Sequence, residues 1–214
     1  MAKLPAIRGR FAPSPTGSLH FGSLIAALGS FLEARSQGGE WLVRIEDVDQ
    51  PRTVAGAAAA ILRILERCGL DWDGPVWYQN QRTAAYQAVL DRLLNLGLAY
   101  PCTCSRRELA NSPRARDGSP IYPGCCRGGV RHSDRPQALR LRVDDAPITF
   151  HDAIQGDCGQ NLVSEVGDFV IRRTDGYFAY QLAVVVDDAD QGITHIVRGS
   201  DLLECTGTPQ TVLP

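Results

Sequence analysis

The chain has 214 residues, 44% of them hydrophobic and 21% charged, with a formal net charge of −2. That is ordinary globular composition and excludes a disordered chain; the length suits one large domain, or a core with a small insert, and needs no staples to fold. No apolar run approaches the ~20 residues that cross a bilayer, and Met1 to Arg10 holds no apolar signal segment, so a cytoplasmic protein without membrane contact is expected.

In chain order, Ile7 to Ala12 alternates apolar and basic residues and runs into Pro13-Ser14-Pro15-Thr16-Gly17, a strand followed by a turn. From Leu19 to Arg35 the residues Leu24, Ala27, Leu28, Phe31 and Leu32 recur at helical spacing, and Gly38-Gly39 ends that helix. Trp41 to Ile45 is the next strand, which makes a βαβ unit with a parallel pair. A second helix is predicted from Thr53 to Cys68, burying Ala57, Ile61, Ile64, Leu65 and Cys68, and a third from Arg82 to Leu96. Pro101 to Pro136 then turns rich in Gly, Pro, Arg and Cys and loses periodicity. Short strands follow at Leu139–Val143, Ile148–His151, Asp168–Ile171 and Tyr177–Tyr180. A last strand is expected at Ile193–Arg198, ahead of a helix start near Ser200. The layout is an α/β, Rossmann-like core with a parallel sheet, divided as 1–100, a 101–137 insert, and 138–214.

Two constellations carry chemistry. At the first strand-to-helix switch, Arg10 to Ser23 places prolines, Gly17, Gly22 and His20 where a parallel sheet binds ligands. A helix N-terminus there offers N–H groups to an anion. His20 is either a phosphate donor or a structural helix cap. The other constellation is the insert. Cys102, Cys104, Cys125 and Cys126 lie within 25 residues, a spacing that suits tetrahedral zinc, although four thiols without metal satisfy the same letters. Seven cysteines in all, an odd number, argue against a disulfide framework. From Cys102 to Arg142 nine arginines face three acids, a local charge of +6 that marks a polyanion-facing patch or merely a solvated loop.

The string Arg10-Phe11-Ala12-Pro13-Ser14-Pro15-Thr16-Gly17-Ser18-Leu19-His20-Phe21-Gly22-Ser23 closely resembles the signature of glutamyl-tRNA synthetases, class I enzymes, with His20-Phe21-Gly22-Ser23 in place of their His-Ile-Gly-His. The resemblance continues in Leu42 to Asp49, Tyr180 to Asp188 and His195 to Leu203, and so covers nearly the whole chain. Ser14-Pro15-Thr16 is similar to the glutamyl rather than the glutaminyl branch. The resemblance implies a glutamate pocket of Arg10, Phe11, Ala12, Pro13, Ser14, Glu46, Tyr180 and Arg198. It implies an ATP element of Pro13, Thr16, Gly17, His20, Gly22 and Ser23, with His20 catalytic near the phosphates and Mg2+ accompanying ATP. Arginine can clamp a carboxylate bidentately, and glutamate has two carboxylates to clamp.

The cysteine pattern resembles the short glutamyl-queuosine tRNA(Asp) synthetases. That resemblance implies Cys102, Cys104, Tyr122 and Cys126 as ligands of a structural Zn2+, whereas spacing alone favours Cys125 over Tyr122. The implied reaction is ATP-dependent activation of L-glutamate and its transfer to the queuosine base of tRNA(Asp), by a monomer. One departure stands out. No lysine follows Lys3, so the Lys-Met-Ser-Lys-Ser signature of class I enzymes is absent. The chain looks truncated beyond residue 201, which leads to an expectation of weak activation. The alternatives are a non-catalytic tRNA-binding paralogue and another nucleotidyl transferase with a class I core.

Overall fold

The structure is a computed structural model that describes residues 7–115 and 118–206, apart from the side chains of residues 204 and 205. It divides into two compact units, the first formed by the chain up to Thr83 together with Asp187–Leu203, the second by Ala84–Val186 with the residues from Glu204 onward.

The first unit holds β1 (Arg8–Phe11), α1 (Phe21–Ser36), β2 (Glu40–Ile45), α2 (Ala57–Arg67) and β3 (Trp77–Tyr78). The three strands form a parallel sheet in the order β1-β2-β3, with Gly9 opposite Trp41 and Arg10 opposite Leu42. Side chains alternate faces along a strand. One face therefore carries Phe11, Trp41 and Val43, which pack with Ala27 and Ala34 of α1 and Ile61 and Leu65 of α2. Gly9 lies on this face because α1 crosses it closely: a Cβ there would sit 3.2 Å from that of Ala34. The opposite face carries Arg8, Arg10, Arg44 and Glu46.

α1 ends as the sequence predicts. The Gly38 and Gly39 N–H groups return to the carbonyls of Arg35 and Ala34, with Gly38 at φ +65°. Its buried face differs from the expected one. Ala27, Ser30 and Ala34 are buried and Leu24 and Phe31 partly so, while Leu28 and Leu32 join Phe21 and Ile25 in an exposed apolar stripe. Small residues face the sheet because the helix lies close to it. α2 starts at Ala57, four residues later than predicted, because Gly56 at φ +78° breaks the chain before it. Cys68, expected in the core, is the exposed C-cap of α2.

The second unit holds α3 (Thr83–Asn95), β4 (Ala99–Cys102), β5 (Ala138–Leu141), β6 (Pro147–Asp152), β7 (Gly156–Asn161), the single turn α4 (Leu162–Glu165) and β8 (Val170–Arg172). β4-β5-β8 form an antiparallel sheet and β6-β7 a hairpin. Next comes α5 (Tyr180–Asp190), within which the division between the units falls. Two expectations are corrected here. The strand predicted at Tyr177–Tyr180 is replaced by the start of α5, while Phe178 makes only a bridge to Arg172. The helix was hidden because Leu182 to Val186 are all buried, which leaves no amphipathic period to read. The segment Ile193–Arg198 forms no strand; the Thr194 and His195 N–H groups both donate to the Arg8 carbonyl, at 2.9 and 3.2 Å. A 3-10 helix, Ser200–Cys205, stands where a helix start was expected.

Trp41 is fully buried, and its indole N–H donates to Ser30 Oγ at 2.9 Å. Ser30→Ala leaves that N–H without a partner in an apolar layer, and unfolding in urea is expected to show a loss of about 1–3 kcal/mol.

Candidate active site and cysteine cluster

The face of the first unit opposite its apolar core is a charged network. Arg10 of β1 is 4% exposed, and Arg44, in the largely apolar strand β2, is fully buried. Charge at such depth must be paired. The pairing comes from the last turn of α5. Arg10 Nε and Nη2 donate to Asp188 Oδ1 and Oδ2 at 3.2 and 3.3 Å, one edge of the guanidinium against one carboxylate. Arg44 Nη2 donates to the same Asp188 Oδ1 at 2.7 Å and to Glu46 Oε1 at 3.3 Å, and its Nη1 donates to Gln191 Oε1 at 2.6 Å. Arg44 Nε lies 3.8 Å from Asp187 Oδ2 without a hydrogen bond. Asp187 is in turn held by Gln79 at 3.0 Å and Arg82 at 2.6 Å.

Arg10 and Glu46 thus belong to one hydrogen-bonded network at the carboxyl ends of adjacent parallel strands. The turn after β1 is stitched to the same place: the Glu46 N–H donates to the Pro13 carbonyl and the Val54 N–H to the Pro15 carbonyl, each at 2.9 Å. Phe11, Pro13 and Pro15 are buried, Ala12 is half-buried, and Ser14 and Thr16 are exposed beside the strand ends. Burial pushes the Glu46 carboxyl up to about 7, with Arg44 and Arg10 pulling the other way.

His20 is the N-cap of α1. Its Nδ1 accepts from the Ser23 N–H at 3.2 Å, and its Nε2 lies 3.0 Å from Ser23 Oγ. The ring lies over Gly22, where a Cβ would come within 3.2 Å of it. Arg198 is half-buried in the irregular segment after α5, in the same unit, and Tyr180 opens α5 in the second unit. Sequence reasoning gave no role to Arg44, Asp188 and Gln191. An arginine inside an otherwise apolar strand was the available signal, since such a residue needs a buried anion.

In the second unit, the Sγ atoms of Cys102, Cys104 and Cys126 lie within 4.8 Å of one another. The Tyr122 hydroxyl is 3.3 Å from Cys102 Sγ and 3.5 Å from Cys104 Sγ, and it accepts from the Cys126 N–H at 2.9 Å. Cys125 is not one of the three gathered sulfurs. Three thiols and a phenol oxygen around one point are a donor set that suits a tetrahedral ion. Burial pushes the Cys104 thiol up to about 12. At Cys126 burial acts the same way, but the N–H groups of Thr103 and Arg131 and the Tyr122 hydroxyl outweigh it and bring the thiol down to about 6. The Arg140 guanidinium lies over the Tyr122 ring, 3.9 Å from its centroid, and fixes its tilt.

The basic block is only partly free for a polyanion. Arg127 clamps Asp168 with Nε at 2.7 Å and Nη2 at 2.6 Å, Arg135 bonds Glu108 at 3.0 Å, and Arg140 donates to the Asp168 carbonyl at 2.7 Å. Asp168 also takes the Tyr100 hydroxyl and the Val143 N–H. Arg106, Arg107 and Arg131 are exposed; Arg116 lies outside the described residues.

A family model described as "tRNA synthetases class I (E and Q), catalytic domain" matches residues 6–212. The chain belongs to this family. Among its relatives it is 61% identical over 201 residues to a glutamyl-Q tRNA(Asp) synthetase of Dechloromonas aromatica, covering 93% of this chain and 67% of that protein. It is 60% identical over 195 residues to the protein of the same name from Thiobacillus denitrificans, covering 91% of this chain and 65% of that one. The chain thus spans about two thirds of these relatives. Among solved structures, a glutamate tRNA ligase from Elizabethkingia meningosepticum, in complex with its amino acid, superimposes with a TM-score of 0.82 at 28% identity, over 95% of this chain and 45% of that one. The α/β class I core expected from the sequence is therefore the fold. None of the described helices is long and apolar enough to cross a membrane.

The raised Glu46 carboxyl has a consequence for stability. Between the ordinary value of 4.5 and about 7 the native state holds a proton that the unfolded chain has released. Stability from this group therefore falls as pH rises through that window and is lowest above it. Glu46→Gln removes the titration. Denaturant unfolding of the two proteins from pH 4.5 to 7.5 is expected to diverge by up to the order of 3 kcal/mol, at about 1.4 kcal/mol per pKa unit.

Proposed function

We propose that the chain activates L-glutamate with ATP and transfers it to the queuosine base of tRNA(Asp). The observation that carries this reading is that Arg10 and Glu46 stand at neighbouring strand ends, joined through Asp188 and Arg44, in a chain 57–61% identical to proteins named for that reaction. In the reaction, a carboxylate oxygen of glutamate attacks the α-phosphorus of ATP, an acyl–phosphate bond forms and pyrophosphate leaves. A nucleophile of the queuosine base then takes the acyl group and AMP leaves. No charged group of the protein need be consumed; the work is positioning and preorganised charge.

Arg10 clamps a substrate carboxylate, and Glu46 receives the ammonium. Arg198, of the same unit, takes the second carboxylate in this reading. The turn from Pro13 to Ser23 receives ATP with its Mg2+. His20 has its imidazole fixed by Ser23 at the opening of α1, from which it reaches the phosphates. Exposed Arg106, Arg107 and Arg131 meet tRNA phosphates.

Labelled glutamate is expected to enter queuosine-containing tRNA(Asp) and not the queuosine-free form; incorporation into both, or into tRNA(Glu), would overturn the assignment. Calorimetry should show glutamate binding that tightens as pH rises through about 7, because only the ionised Glu46 pairs with an ammonium. Arg10→Ala is expected to weaken that binding at least about tenfold.

In the same reading Cys102, Cys104, Tyr122 and Cys126 hold one structural Zn2+, which would tie the irregular insert to the end of β4 when bound. Metal analysis of the purified chain is expected to find about one zinc per protein by the ligand count of such sites. Cys125→Ser should retain it, and Tyr122→Phe should release it to a chelator faster. Equal retention by both variants would remove Tyr122 from the ligand set.

A further inference from the structure

We propose that Asp188 is the positioning residue of the glutamate pocket, acting through Arg10; this rests on the glutamate reading above. A guanidinium has two edges that can meet a carboxylate side-on, Nε with one Nη and the two Nη groups together. In Arg10 the Nε/Nη2 edge is already taken by Asp188, at 3.2 and 3.3 Å, and Nη1 donates to none of the described residues. The edge that remains is the one that receives a ligand carboxylate, and Asp188 decides where it points.

Asp188 does a second thing at once. Its Oδ1 accepts from Arg10 Nε and, at 2.7 Å, from Arg44 Nη2, while that same Nη2 reaches Glu46 Oε1. One carboxylate thus sets the separation between the cation for a substrate carboxylate and the anion for a substrate ammonium. Those two groups are a fixed distance apart in an α-amino acid, and a bound pose that meets both must match the spacing that Asp188 fixes. Asp188 itself touches no reacting atom. It keeps two buried arginines from repelling each other and keeps Arg10 from spending binding energy on finding its orientation.

The neighbouring acids do not share this task. Asp187 faces Gln79, Arg82 and Arg44 Nε, and Asp190 pairs with Arg82. Neither has a bond to Arg10.

The test compares the unsubstituted chain with Asp188→Asn and, as a control on the same helix, Asp190→Asn. Calorimetry measures glutamate and ATP separately, and thermal melts report folding. Asp188→Asn is expected to weaken glutamate about tenfold or more, the scale on which supporting partners of a binding group act, and to leave ATP within about twofold, the spread expected of uncoupled sites. Asp190→Asn should leave both unchanged. A role in folding alone would weaken both ligands together or neither, and either result overturns the proposal. Should the asparagine variant be unfolded at the assay temperature, Asp188→Glu keeps the charge but cannot meet the Nε/Nη2 edge from the same backbone position, and the same split between the ligands is expected. If Asp188→Glu binds glutamate like the unsubstituted chain, the charge alone matters and the proposal fails. If the unsubstituted chain takes up no glutamate, the functional reading itself fails and takes this proposal with it.

Discussion

The first unit depends on one constraint: two arginines and a glutamate are buried on the same face of a parallel sheet. Arg10, Arg44 and Glu46 have 0–7% of their surface exposed, and burying such charges without partners would cost several kcal/mol each. The compensating anions come from the last turn of α5, roughly 140 residues further along the chain by the sequence separations of those bonds. The apolar part of α5, Leu182 to Val186, is buried, and the charged turn that follows it meets the strands through ion pairs. That turn is held because the strands cannot keep their charges without Asp187 and Asp188. The same necessity fixes the orientation of the groups, since charges held to neutralise one another cannot turn freely. Stability and preorganisation are here one set of bonds.

Much of this was legible in the sequence where the period is clean. The βαβ unit could be read because Ile7 to Ala12 alternates and Gly38-Gly39 closes the helix, and β1, α1 and β2 lie within a residue or two of the expected spans. Motif resemblance names the pocket residues without showing what joins them. Nothing local says that Arg10 and Arg44, which in turn bonds Glu46, share a partner, because that partner, Asp188, is in a helix whose continuous burial from Leu182 to Val186 erased its period. α1 shows the opposite error. Its leucines were assigned to the core because they are apolar, yet close approach to the sheet selects Ala27, Ser30 and Ala34. Size, not hydrophobicity, decided that face.

In the second unit the stretch from Cys102 to Asp168 is organised by two small centres. Asp168 is buried, and although burial raises its carboxyl, Arg127, Tyr100 and the Val143 N–H hold it below the usual carboxylate range. Gly167, at φ +71°, lets the chain pass so close to Tyr122 that a Cβ would stand 2.5 Å from its backbone nitrogen. The Tyr122 hydroxyl thereby comes to rest among the three thiols. An arginine-rich stretch that reads as a uniform charge patch is thus divided between residues paired within the unit and residues that face solvent.

The shared carboxylate of Asp188 also limits how this protein can drift over generations. Exchange of Asp188 for a neutral residue takes from Arg10 its anion, and exchange of Arg44 takes from Glu46 its bonded cation. Each single step passes through a variant with an uncompensated interior charge, so a change in the strand burdens the helix and a change in the helix burdens the strand.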